Sequence, residues 1–154
     1  MRALFEQEYP KHEKALFLVA MAYLHNSEDA KDCVQEAALQ AYRSIESLRH
    51  KEYFKTWITR ILINKCKDYL RAKRFTDELS DKLEVFSYIP SEHIEIFDAV
   101  CRMDKRISVY LTLRFYNGMN YTEVSGALRQ PVSTVKYRTG KALEELKLLL
   151  EGDF

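Results

Sequence analysis

The sequence predicts an all-α protein: two small helical domains joined by a flexible acidic linker, the C-terminal one a helix-turn-helix. Three observations predict this. Apolar residues recur at steps of three and four through nearly the whole chain, with no convincing alternating stretch to mark a strand. Only four Gly and three Pro interrupt 154 residues. Charge is segregated beneath a net value of only +1: residues 1–75 carry 14 basic and 10 acidic side chains, residues 76–104 carry 2 and 8, and residues 105–154 carry 8 and 5. A basic, acidic, basic order fits two modules that meet a polyanion, joined by a segment that a polyanion would repel.

With 47% apolar and 12% aromatic residues the chain has ample material for packed cores. Its most apolar run, Ala15 to Leu24, is too short to span a bilayer and stands among charges rather than before a small-residue cleavage site, so a cytoplasmic protein is expected. From Asp29 onward, Ala30, Cys33, Val34, Ala37, Ala38, Ala41, Tyr42 and Ile45 trace one helical stripe, while Glu28, Asp32, Gln35, Glu36 and Arg43 occupy other faces. The acidic start suits the helix dipole.

A polar break, Ser47 to Tyr53, precedes the next helix. There Phe54, Trp57, Ile58, Ile61 and Leu62 form the inner stripe, continued by Tyr69 and Leu70. Arg60, Asn64, Lys67, Arg71 and Arg74 follow one another at steps of four, three, four and three, which stacks them along one side. Residues 49–74 hold nine basic side chains against two acids, more bias than solubility requires. Asp68 on this helix is expected to pair locally with Arg71 or Lys65. In the break itself Arg49, His50, Lys51 and Tyr53 offer donors and an aromatic ring able to receive an unstacked base. Residues 76–92 are acidic, lack periodicity and contain a proline, which marks the linker between modules at 1–75 and 93–154.

The second module reads as a helix from about Ile94, another ending near the segment FYNGMN, and then a short helix that Asn120 and Glu123 begin as a capping box, with Val124, Ala127 and Leu128 inside. The residues RQP break it. Ser133 is placed to cap a longer helix whose inner face is Val135, Thr139, Ala142, Leu143, Leu146 and Leu149. A short helix, a tight break and a longer helix with a cationic first half is a helix-turn-helix, whose second helix enters the major groove. Ser133 and Thr134 can hold a phosphate at the helix start, Lys136, Arg138 and Lys141 can neutralise others, and the bare Gly140 permits close approach beside Tyr137. A cationic helix face alone is ordinary solvation; two of them in one chain favour nucleic acid.

Enzyme chemistry is not expected. No glycine-rich loop cradles a phosphate, His12, His25, His50 and His93 are scattered without ligand spacing, and Cys33, Cys66 and Cys101 form neither a disulfide framework nor a metal knuckle. No catalytic residue, metal, cofactor or small-molecule substrate is therefore assigned, and the cysteines are read as reduced thiols in cores.

Three segments resemble the extracytoplasmic function (ECF) sigma factors, the small two-domain class of bacterial sigma factors. DAKDCVQEAALQAY, Asp29 to Tyr42, is similar to the family's D-A-E-D-L-V-Q-E helix. FKTWITRILINKCKDYLRAKR, Phe54 to Arg74, resembles F-x-x-W-L-x-x-I-A-x-N-x-x-x-D-x-x-R, and YNGMNYTEVSGALRQPVSTVKYRTGKALEEL, Tyr116 to Leu146, resembles the family's second DNA-reading segment with its E-I-A and T-V-K-S-R. The resemblance implies that Asp29, Asp32, Gln35 and Glu36 face the β′ coiled coil of core RNA polymerase. It also implies that Arg49, His50, Lys51, Tyr53, Arg60, Asn64, Lys67, Arg71 and Arg74 engage the melted −10 element. Ser133, Thr134, Lys136, Tyr137, Arg138, Gly140 and Lys141 then read the −35 duplex. Further implied partners are the β flap, promoter DNA and an anti-sigma protein, often membrane-bound.

Departures from the family pattern are specific. Met103 and Asp104 stand where Leu-Pro is common, and Tyr137, Thr139 and Gly140 replace the more frequent Ser, Leu and Ser. Arg129 replaces the usual turn glycine, a cost of about 1 kcal/mol if it adopts positive φ. Two other classes fit the residues: an autonomous helix-turn-helix repressor that binds a palindrome by itself, and a protein-interaction bundle indifferent to DNA and to loss of Arg71 and Arg74.

Overall fold

The computed structural model describes residues 2–73 and 93–152. All regular structure among them is helical. Among the described residues seven α-helices run in the order α1 (Arg2–Leu24), α2 (Ser27–Arg43), α3 (Phe54–Ala72), α4 (Ile94–Arg102), α5 (Lys105–Leu111), α6 (Tyr121–Leu128) and α7 (Val132–Gly152). Arg74 and the segment 76–92 lie outside the described residues.

Helices α1, α2 and α3 pack on one another. Leu16 to Tyr23 of α1 are all buried, and α2 offers them Ala30, Cys33, Val34, Ala37 and Ala41. Small residues at that spacing let two helices approach closely, while Phe54, Ile58, Leu62 and Ile63 of α3 supply the volume. Asn26, not an acid, caps α2: its side chain accepts from the backbone N–H of Asp29 at 3.0 Å, so the helix begins two residues before the expected stripe. Two short 3₁₀ turns, Ile45–Ser47 and Lys51–Tyr53, fill the polar break.

In the second half, Asp104 caps α5 by accepting from the Arg106 backbone N–H at 2.9 Å. The unusual Met103-Asp104 pair thus has a use: Met103 is buried and Asp104 starts the helix. The Arg106 guanidinium also bonds Asp104 and holds its carboxyl at about 2, below the usual carboxylate range. A wide turn, Thr112–Tyr116, leads to Gly118, whose φ of +66° is left-handed and suits glycine. The capping box at Asn120 and Glu123 is formed from both sides, at 2.8 and 3.0 Å.

Two details of α7 differ from expectation, its start and Leu143, while Thr139 is buried as expected. The helix begins at Val132, so Ser133 sits inside the first turn and is not its cap. Leu143 is 42% exposed because the inner stripe follows Val135, Thr139, Ala142 and Leu146, and Leu143 falls one step beside it. Thr139 is wholly buried, its hydroxyl satisfied by the Val135 carbonyl at 2.7 Å.

Arg129 ends α6 in the left-handed region, φ 56° and ψ 49°. Arg129→Gly is expected to raise stability by about 1 kcal/mol, since a Cβ is strained there and glycine is not. A denaturant midpoint measured by circular dichroism checks this; an unchanged or lower midpoint contradicts it.

One apolar cluster runs through both halves. It joins Leu16, Phe54 and Ile58 to Phe97, Tyr110, Leu113, Val124 and Val135, while a smaller cluster of Ala99, Val100, Met103, Leu111, Ala142 and Leu146 closes the other side of α7. In this arrangement α3 lies against α6, so the helix-turn-helix and the first three helices share an interface.

Candidate nucleic-acid interface

The outer face of α2 is set by the burial of its inner one. With Ala30, Cys33, Val34, Ala37 and Ala41 turned inward, Asp32, Gln35 and Glu36 are exposed side by side, next to Leu39 at 49% exposure. Asp29 does not join them. Its carboxylate lies 2.9 Å from Lys73 Nζ, which also donates to the Tyr69 hydroxyl at 2.8 Å. Those two bonds, Tyr69 first, hold the Lys73 ammonium above its ordinary range. Asp29 therefore ties the start of α2 to the end of α3, while the other three residues face solvent.

The loop Arg49, His50, Lys51 and Tyr53 is exposed throughout. The His50 ring stands edge-on to Tyr53, 5.7 Å between centroids, and its Nδ1 is 3.9 Å from Glu52. Behind the loop is a cavity of about 440 Å³ walled by Leu48, Tyr53, Trp57 and Arg60 on one side and by Thr122, Glu123 and Gly126 of α6 on the other. Trp57 is thus a wall of this cavity as well as a partner of Phe54 at 5.9 Å. Helical periodicity places it on the inner stripe and gives no sign of the cavity.

Along α3 the row divides. Asn64, Lys67 and Arg71 are exposed, and Arg71 donates to Asp68 at 2.9 Å, the local pair the sequence suggested. Arg60 is turned into the seam with α6, where Nε donates to the Gly126 carbonyl at 3.2 Å and Nη2 donates to the same oxygen. Burial, with the neighbouring Arg129 guanidinium, holds the Arg60 guanidinium below its ordinary range.

Further contacts stitch this seam. Lys55 Nζ is 3.3 Å from the Glu123 carboxylate and donates to the Gly118 carbonyl at 3.3 Å. Asn117 Nδ2 donates to Thr59 Oγ1, also at 3.3 Å. Gly126 permits the approach, because a Cβ built on it stands 3.2 Å from Thr56 Cγ2.

On α7, Ser133, Lys136, Tyr137, Arg138, Gly140 and Lys141 are exposed and Thr134 is half-buried. A Cβ on Gly140 meets nothing within 4 Å, so that stretch of the helix is bare. Lys136 Nζ lies 5.8 Å from the Tyr121 ring centre and Lys141 Nζ lies 5.6 Å from that of Tyr137. Arg138 is fixed differently: Nη1 donates to the Tyr110 hydroxyl at 3.0 Å, which donates to Gln130 Oε1 at 2.6 Å. These contacts position three cations, of which Lys141 also lies 3.7 Å from the Glu144 carboxylate.

Lys105 and Arg106, at the start of α5, also stand with Lys67, Arg71 and Arg138 around one cavity. Their adjacency in the sequence was the available signal, but nothing local shows which helix they face. Among the described residues no group of three or more His, Cys, Asp or Glu is arranged to hold a metal ion, and no helix is long and apolar enough to cross a membrane.

Residues 9–76 match the family described as Sigma-70 region 2. The chain is 27% identical to the RNA polymerase sigma factor SigV of Bacillus subtilis (strain 168) over 143 residues, covering 90% of this chain and 86% of that protein. It is 28% identical to the ECF RNA polymerase sigma-E factor of Escherichia coli (strain K12), covering 94% and 91%. Among solved structures it resembles sigma factor RpoE in complex with the anti-sigma factor NepR from Bartonella quintana, with TM-score 0.78, 20% identity and coverage of 97% and 98%. It also resembles CnrH in complex with the cytosolic domain of CnrY, with TM-score 0.74, 24% identity and coverage of 97% and 89%.

Proposed function

We propose that this chain is an ECF-type RNA polymerase sigma factor, an initiation factor without enzymatic activity, and that it directs initiation by presenting α2 to core polymerase and two cationic surfaces to one promoter. Asp32, Gln35 and Glu36 meet the β′ coiled coil. The loop Arg49 to Tyr53, with Asn64, Lys67 and Arg71, engages the −10 element as a separated strand, and Lys136, Tyr137, Arg138, Gly140 and Lys141 read the −35 element as duplex. Ser133 and Thr134 flank that contact at the helix start. Asp29 acts through Lys73 and Tyr69, by fixing α2 against α3.

The observation that carries this reading is the segregation of charge on the fold. The exposed face of α2 is anionic, whereas the outer faces of α3 and of the first half of α7 are cationic. Phosphates account for the cations, and only a third body accounts for the anionic face.

The compact arrangement cannot serve both elements at once. Elements about 25 base pairs apart are separated by roughly 85 Å at about 3.4 Å per step, while a compact chain of this length is about 40 Å across. The seam must therefore open, releasing Arg60 from Gly126 and making it available beside Asn64 and Lys67. Core polymerase, docked on α2 and through its β flap on the second half, supplies the energy for that opening. By the same reading an anti-sigma protein, often membrane-bound, would hold the closed form in the cytoplasm.

Run-off transcription with bacterial core polymerase on a randomised promoter library tests the proposal. The expected result is defined start sites that depend on this protein, with base preferences at two separated positions. Tight binding of a palindromic duplex by the protein alone, with no initiation when core is added, would instead establish the repressor reading.

A further inference from the structure

The last two turns of α3, the start of α5 and the middle of α7 enclose a cavity of about 430 Å³. Lys67, Arg71, Lys105, Arg106 and Arg138 line it, and among the described residues no acidic side chain does. Two of these cations are partly neutralised from outside the cavity, Arg71 by Asp68 at 2.9 Å and Arg106 by Asp104 at 2.8 Å. Lys67, Lys105 and Arg138 pair with no acid among the described residues. Like charges from the two halves of the chain thus face each other across the cleft, while Lys55, Arg60 and Asn117 hold the halves together further along the seam.

Such a cleft is short of negative charge. Its size falls in the small-ligand range of about 300–1,000 Å³ and is too small for a helix or a duplex. Arginine forks grip phosphate oxygens two at a time, and lysines act as point charges beside them. Behind the cations, Tyr23, Leu70, Val109 and Leu128 form a mostly apolar wall of a kind a planar base can lie against.

We propose that this cleft binds a small polyphosphate anion, free or carried on a nucleoside, and that the bound anion bridges the two halves and fixes the compact arrangement. The ligand sits between α3 on one side and α5 and α7 on the other, so separating the halves strips it of some of its cations. It also occupies Lys67, Arg71 and Arg138, three of the residues proposed above for promoter contact. The site stands on the cleft geometry alone; its consequence for initiation rests on the sigma reading, and run-off transcription without the ligand tests that reading separately.

Isothermal titration of the full chain at low salt, with inorganic tripolyphosphate, ATP and adenosine in turn, tests the proposal. Tripolyphosphate and ATP are expected to bind once per chain, and adenosine not at all. ATP binding tighter than tripolyphosphate assigns the apolar wall to the base; equal binding assigns the whole site to phosphate. Lys105→Glu, at a lysine that pairs with no acid among the described residues, should weaken both ligands about tenfold and keep the melting temperature, because an acidic residue is favoured in a first helical turn. Arg138→Gln, on a different helix, should weaken them as well. The small-angle scattering radius should stay constant or fall when tripolyphosphate is added. Absence of saturable binding, adenosine binding as tightly as ATP, full affinity in both variants, or a radius that rises with ligand would overturn the proposal.

Discussion

Glu36→Arg is expected to lower the affinity of this protein for core RNA polymerase at least tenfold without changing its melting temperature. Glu36 is exposed on α2, between inner-face residues Cys33 and Ala37 that are almost wholly buried. Arginine is as good a helix former as glutamate, so the helix does not object to the exchange. The partner surface does: reversing one charge of a close interfacial pair costs on the order of 2 kcal/mol or more. Competition binding with labelled core enzyme reads the loss directly. Asp29→Asn should differ in kind, because Asp29 holds Lys73 at 2.9 Å; its effect is expected in stability more than in polymerase affinity. Full core affinity in Glu36→Arg would place the contact elsewhere on the molecule.

Gly126→Leu is expected to open the seam while leaving α6 stronger. Leucine exceeds glycine in helix propensity by roughly 0.8 kcal/mol, so the helix-turn-helix gains locally. Between the halves the substitution is a wedge, since even a Cβ at this position stands 3.2 Å from Thr56 Cγ2, closer than an ordinary contact. Displacing α6 breaks the Arg60 bonds to the Gly126 carbonyl and separates Lys55 from Glu123. A hydrogen bond from a charged donor is worth roughly 1.5–3 kcal/mol, and a partly exposed ion pair about 0.2–1 kcal/mol. These polar contacts contribute a few kcal/mol to the seam, beside the apolar cluster that runs through both halves. Scattering should give a larger radius for Gly126→Leu than for the parent, and Lys55→Glu should move it the same way by setting two carboxylates against each other. A radius equal to the parent's in both variants would show that the seam does not depend on these contacts.

Much of the architecture was legible because its signals are local. The α2 stripe, the Phe54-to-Leu62 stripe of α3 and the Asn120–Glu123 capping box are patterns within a few turns, and each appears where the periodicity placed it. Arg129 in place of a turn glycine pointed to positive φ, and φ is 56°. The misses are of two kinds. Asn26, Ser133 and Leu143 are boundary and phase errors: a cap two or three residues away, or an inner stripe that passes one position aside, leaves the same apolar count. The seam is a different matter. Arg60 and Gly126 are 66 residues apart, and Lys55 and Gly118 are 63 apart. A row of cations shows which side of α3 is polar, not which of its members will meet the other half of the chain. The cleft around Lys105 and Arg138 was hidden for the same reason.

In the proposed function, promoter engagement requires the two halves to separate when the protein goes to work. Fluorescent labels at Lys11→Cys and Lys147→Cys, on exposed positions of α1 and α7, measure that separation, and the native cysteines are buried and spared from labelling. Energy transfer should be high in the free protein and should fall when core polymerase and a promoter fragment are added, as the distance approaches what two elements on one duplex demand. Unchanged transfer in a complex that nevertheless initiates transcription would contradict the account.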